Sequence, residues 1–199
     1  MATTIPDVYV IESLDPDDEG NGRFEGMVVT QVLRLHGKNP KYQYVRTRDQ
    51  FERAVKKFGA SRYRYLHISA HADAEGMCTT NKEEIVFDEM AETLKPHLKR
   101  RRLFLSACSM VHEDAAAALL QGTGCYSVVG PTEDIRFTDA AVVWASIYHL
   151  LFSENASTVK REVLKRHLAR VSDLFDVPLA YYSASKDLKR GYTKDLLGT

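Results

Sequence analysis

Short β-branched and aromatic runs alternate with stretches of helical period along most of this chain, and that alternation limits the fold more than any other feature. Val8-Tyr9-Val10-Ile11 reads as a first strand, leading into the turn formers Asp15 to Gly22, an exposed acidic loop. From Phe24 to Leu35 the apolar residues Met27, Val28, Leu33 and Leu35 follow a helical spacing, with Gly37 and Pro40 as the stop. Tyr42 to Val45 is a second strand. Thr47 with Gln50 makes a capping box for a helix whose face is Phe51, Ala54, Val55 and Phe58, closed by Gly59. A third strand, Tyr63 to Ala70, enters His71. Met77-Cys78-Thr79 and Ile85-Val86-Phe87 fit a small hairpin, and Asp88 caps a helix expected to reach Leu98. The basic run Lys99 to Arg102 is expected to be solvated at that helix's C-terminus, where cations are favoured, rather than to form a phosphate or partner patch. Leu103 to Ala107 is a fourth strand ending at Cys108, and His112 to Gln121 a helix closed by Gly122. Tyr126 to Val129 is a fifth strand, helices follow over about Asp139–Leu151 and Ser157–Val171, and Leu179 to Tyr182 is a sixth strand before a charged end without assignment. The pattern predicts an α/β fold with a mostly parallel central sheet of about six strands.

A length of 199 residues with 44% hydrophobic content suits one core, so a single domain over residues 1–199 is expected. Lys+Arg 27 balances Asp+Glu 27, which leaves no net field to draw nucleic acid or an anionic membrane. No apolar run approaches the roughly 18 residues of a membrane span, and the N-terminus has no basic region followed by an apolar stretch. Cys78, Cys108 and Cys125 are an odd number in a chain large enough to fold without staples, which points to a reducing cytoplasm.

His71 and Cys108 each close an apolar strand. They are 37 residues apart, room for a hairpin and a crossover helix that bring the chain back beside itself in the same direction. In a parallel sheet, side chains at the carboxyl ends of neighbouring strands share a crevice. A thiol there needs an imidazole or a helix N-terminus to favour the thiolate, and Cys108 is expected to have both: His71, and the helix beginning near His112. The Cys108 N–H is placed to bind an oxyanion. A zinc reading fails on spacing, because His67 and His71 lie ~13 Å apart along a strand, and Cys108 with His112 and Cys78 lacks any paired-ligand pattern. His67 is read as structural or as a supporting partner.

Ile68-Ser69-Ala70-His71 followed by a small residue, with a later strand ending Leu105-Ser106-Ala107-Cys108, resembles the caspase–hemoglobinase fold, most closely its bacterial CHAT-type branch. The similarity extends over roughly Tyr63 to Leu151, including Val128-Val129-Gly130-Pro131 and Asp139-Ala140-Ala141. It implies a three-layer caspase-like sandwich and a cysteine endopeptidase acting on a specific protein partner, regulated or defence-related, with His71 as general base and acid and Cys108 as nucleophile. It implies no metal, no cofactor and usually no third catalytic residue. The oxyanion donors would be the N–H groups of Cys108 and Ala72. The family typically has glycine after its histidine, so the Ala72 methyl is expected to narrow the site or weaken the hole. Asp73, Glu75, Glu133, Asp134 and Arg136 are the charges nearest the expected crevice and the candidates for substrate selection. The alternatives are a catalytically weak or inactive CHAT-like interaction module, with a regulatory protein partner, and an acyl-thioester chemistry on a small molecule.

Overall fold

The computed structural model describes residues 4–73, 75–155 and 157–198. In chain order the elements are β1 (Ile5–Ser13), α1 (Pro16–Gly20), α2 (Glu25–Leu35), β2 (Lys41–Tyr44), α3 (Arg48–Ala60), β3 (Tyr63–Ala72), the hairpin strands β4 (Gly76–Cys78) and β5 (Glu84–Val86), α4 (Phe87–Leu94) and a 3-10 turn (Lys95–His97). Then come β6 (Arg102–Ser106), α5 (Glu113–Leu120), β7 (Ser127–Pro131), α6 (Phe137–Glu154), α7 (Arg161–Phe175), β8 (Leu179–Ala184) and β9 (Tyr192–Leu197). The main sheet has the order β2-β1-β3-β6-β7-β8-β9, parallel as far as β7 and antiparallel for the last two strands.

Side-chain alternation along the strands builds the three layers. Tyr9, Ile11, Leu66, Ile68, Leu103 and Leu105 pack toward α3, α4 and α5. Val8, Val10, Tyr65 and Phe104 face α2, α6 and α7, where Trp144 and Tyr148 fill the space over the sheet. Both faces are covered, as a parallel sheet requires. Thr47 caps α3 by accepting from the Gln50 N–H at 3.2 Å, and the Gln50 amide oxygen accepts from Arg46 N at 2.7 Å.

Several expectations change. Among the described residues the main path of the sheet holds seven strands, with β4 and β5 paired off β3, because the charged C-terminal stretch forms β9; its Lys194 pairs with Glu113 at 2.9 Å and its Asp195 with Lys165 at 2.7 Å, so charge here decorates an edge strand. The acidic loop after β1 contains α1, begun by the Asp15 side chain accepting from Asp17 N at 3.0 Å and by Pro16 in the first turn. The helix expected to reach Leu98 stops at Leu94, because Pro96 cannot donate to the next α-helical bond. Arg101 and Arg102 are buried rather than solvated. Arg101 donates to the carbonyls of Phe58, Gly59 and Ser61 at 2.7, 3.1 and 2.7 Å, closing the C-terminus of α3, and Arg102 opens β6 with a bond to Ser127 Oγ at 2.8 Å. The last helix begins at Arg161 because the Asn155 side chain accepts from Ser157 N and Thr158 N, holding a turn where helix was expected.

Candidate active site

The β3–β6 register fixes the geometry of the two strand ends. Ser69 and Ser106 are Cα partners, and His71 and Cys108 each follow that pair by two residues. With a side-chain period of two, His71 continues the face of Ser69, toward α2 and α6. Cys108 lies just past the end of β6, and both it and His71 line a cavity of about 40 Å³ with Ala70, Ile135 and Phe137. Glu25, from the start of α2, also lines this cavity.

His71 is held on two sides. Its Nε2 lies 2.7 Å from Asp18 Oδ2, and its ring stacks on Phe137 with centroids 6.1 Å apart. A carboxylate only accepts, so Nε2 carries a hydrogen and Nδ1 is the nitrogen left for a proton transfer. Asp18 is further fixed by Arg23 at 2.9 Å. Sequence reasoning placed Asp18 in a solvated loop, yet its side chain is only 13% exposed. Two signals were present: the Asp15-Pro16 helix start, and the fact that the loop leaving β1 emerges at the same sheet edge as the end of β3.

Cys108 is half-buried and its thiol donates to the Ile135 carbonyl at 3.7 Å. The next residue, Ser109, has φ 53°, a left-handed conformation unusual for a side-chain-bearing residue, and its Oγ donates to Asp134 Oδ1 at 3.2 Å. The bend turns the chain sharply at the thiol. The following helix, α5, starts only at Glu113, with the His112 ring as cap and with Glu113 and Asp114 in its first turn, so its positive end already faces its own carboxylates.

Ala72 is part of β3 and pairs with Met77; it is absent from the positive-φ residues, so its backbone is extended and its methyl unstrained. Asp73 and Glu75 line a separate cleft of about 300 Å³ on the hairpin side of His71, together with Cys78 and Glu84. The Asp73 carboxylate accepts from Glu75 N and Gly76 N at 2.8 and 3.1 Å and so stabilises its own turn. Asp134 is engaged by Ser109, Arg136 pairs with Asp139 at 2.6 Å, and Glu133 lines another cavity beside His112 and Lys194. Only Asp73 and Glu75 among these charges share a cleft with His71. The largest groove, about 1080 Å³ between α2, α6 and α7, includes neither His71 nor Cys108.

His67 is fully buried, with Nδ1 3.1 Å from the Tyr148 hydroxyl and Nε2 3.3 Å from Glu25 Oε1. Cys78 is half-buried opposite His71 in the β3–β4 pair, and burial pushes the Cys125 thiol up to about 12. Among the described residues no group of three or more His, Cys, Asp or Glu side chains is arranged to hold a metal ion.

No protein-family model and no curated protein sequence matches the chain. Solved structures do resemble it. An inactive zymogen of a C11 protease from Parabacteroides distasonis superposes with a TM-score of 0.60 at 10% identity, over 92% of this chain and 63% of that one. A secreted C11 cysteine protease from Bacteroides thetaiotaomicron, iotapain, gives 0.57 at 10% identity, over 92% of this chain and 67% of that one. A secreted C11 cysteine protease from the same organism, in complex with an irreversible peptide inhibitor, gives 0.61 at 8% identity, over 89% and 66%. This chain thus spans about two thirds of the length of the proteins it resembles, and the fold it shares with them is the caspase-like α/β sandwich of the C11 cysteine proteases.

Proposed function

We propose that this chain is a cysteine endopeptidase of caspase-like fold, with Cys108 as nucleophile and His71 as general base and acid. The observation that carries the reading is the β3–β6 register, which sets a histidine and a cysteine two residues beyond one paired position and at one cavity. His71 Nδ1 takes the thiol proton, the thiolate adds to a peptide carbonyl, and the tetrahedral oxyanion is met by the N–H groups of Cys108 and Ala72. Collapse gives a thioester on Cys108 as the amine leaves with the proton from His71. Water, deprotonated by the same imidazole, then cleaves the thioester to a carboxylic acid and frees the thiol. Asp18 orients His71 and offsets the charge of the imidazolium, the role a buried acidic partner plays beside a catalytic histidine. No metal or cofactor enters these steps.

The substrate is a peptide segment, by analogy with the peptide inhibitor carried by one of the similar proteins. Asp73 and Glu75, on the hairpin side of His71, are the charges best located to touch it, while Asp134 and Arg136 act on the loops around Cys108. A specific protein target, a regulatory partner, one catalytic domain over the whole chain and placement in the CHAT-type branch belong to this proposal and rest on the two strand-end motifs. Three free cysteines favour the cytoplasm, although two of the similar proteins are secreted; no described helix is long and apolar enough to cross a membrane.

A second reading, an interaction module with little catalysis, has one observation in its favour: the resting thiol donates to Ile135 rather than to His71. The separating experiment incubates the protein with a diverse peptide library and maps cuts by mass. The proposal expects cuts that vanish in Cys108→Ala, a loss of at least about a thousandfold. Cuts unchanged in that variant refute it, and a library left intact by the unmodified protein favours the module.

A further inference from the structure

One carboxyl oxygen joins the two strands that deliver His71 and Cys108. Glu25 Oε2 accepts from Ser69 Oγ at 3.0 Å and from Ser106 Oγ at 2.8 Å, the residues two before His71 and two before Cys108. Those serines are the last Cα partners of the β3–β6 ladder, so the bridge sits where regular strand pairing stops. Beyond it, the position of Cys108 relative to His71 depends on loops. The second oxygen, Oε1, is 3.3 Å from His67 Nε2, and Glu25 as a whole is 2% exposed while still lining the cavity. A backbone contact anchors it from behind: Gly26 N donates to Glu12 Oε1 at 2.6 Å, tying the first turn of α2 to the end of β1.

A buried acid flanked by two serine hydroxyls, an imidazole and a second buried carboxyl, Glu12, whose Oε1 lies 3.5 Å from the same Ser69 hydroxyl, costs stability relative to an apolar side chain, and its hydrogen bonds offset part of that cost. Strand pairing alone would hold β3 to β6 without it. What the bridge adds is a fixed distance between two side chains that must meet to transfer a proton, and a displacement of about 1 Å in such a pair can lower a rate by a factor of ~100. We propose that Glu25 is a positioning residue for the thiol–imidazole pair, acting through Ser69 and Ser106. This rests on the reading of His71 and Cys108 as a working dyad.

The test follows the rate of Cys108 alkylation by iodoacetamide against pH, resolved by peptide mass, in the unmodified protein, His71→Ala, Glu25→Ala and Glu25→Gln, each checked for folding by circular dichroism. With the pair positioned, Glu25→Ala slows alkylation at pH 6 at least about tenfold and moves its profile toward that of His71→Ala. Glu25→Gln, whose amide oxygen still accepts from both serines, stays within about threefold of the unmodified protein. If Glu25→Ala fails to fold, the double variant Ser69→Ala/Ser106→Ala, which removes the bridge and leaves the acid, gives the same displacement of the profile. A folded Glu25→Ala, or failing that a folded double variant, that tracks the unmodified protein overturns the positioning role alone. An unmodified protein indistinguishable from His71→Ala overturns the dyad, and the positioning role with it.

Discussion

The two faces of β3 and β6 differ where the strands end. On the side of α3, α4 and α5, Leu66, Ile68, Ala70, Leu103 and Leu105 form an unbroken apolar surface. On the side of α2, α6 and α7 the same strands present His67, Ser69 and Ser106 toward their carboxyl ends, and β1 adds Glu12, all buried. A sheet face that needed only to be stable would be apolar on both sides, because each buried polar group must recover its lost hydration through hydrogen bonds. The polar face is the one that continues into His71 and Cys108. It is polar toward the carboxyl edge of the strands, the edge at which α/β sheets place their chemistry. One face therefore supplies stability, and the other gives up some of it to hold a geometry.

The largest change expected from breaking this contrast is on the apolar side. Leu105→Ala removes a fully buried side chain and leaves a cavity, and urea unfolding should show a loss of about 2–5 kcal/mol. The polar side should respond to pH instead. Burial pushes the Glu12 carboxyl up to about 7 against the hydrogen bonds from Tyr42 and Gly26, which favour its charged form. The folded state thus holds a proton that the unfolded chain releases near its ordinary value, and stability falls as pH rises from about 4.5 to about 7, then levels off, by roughly 3 kcal/mol in total. Glu12→Gln should flatten that slope in unfolding curves measured across the range. A slope unchanged in the variant would assign it to other groups.

The alternation of strands and helices was legible in the sequence because it depends on local period, and so was the placement of His71 and Cys108 at neighbouring strand ends, because each ends an apolar run. What escaped depends on contacts between distant residues. Asp18 meets His71 across 53 positions, and nothing in an acidic run distinguishes the one member that folds inward. Ser69 and Ser106 look like small spacers within their motifs; only the register shows that they face one acid. The left-handed turn at Ser109 has no glycine to announce it, whereas Ala72, where the resemblance favours glycine, stays in an extended strand that accepts a side chain. Arg101 belongs to a basic run, and its burial follows from the carbonyls left open at the end of α3, a feature invisible along the chain.

The most direct measurement exposes the protein to a mixture of peptidyl acyloxymethyl ketones and locates the covalent adduct by mass. The account predicts a single adduct on Cys108, lost in His71→Ala and formed about ten to a hundred times more slowly in Asp18→Ala, because the imidazole then lacks its orienting carboxylate. An adduct on Cys78, or one on Cys108 that forms equally fast in His71→Ala, would contradict it.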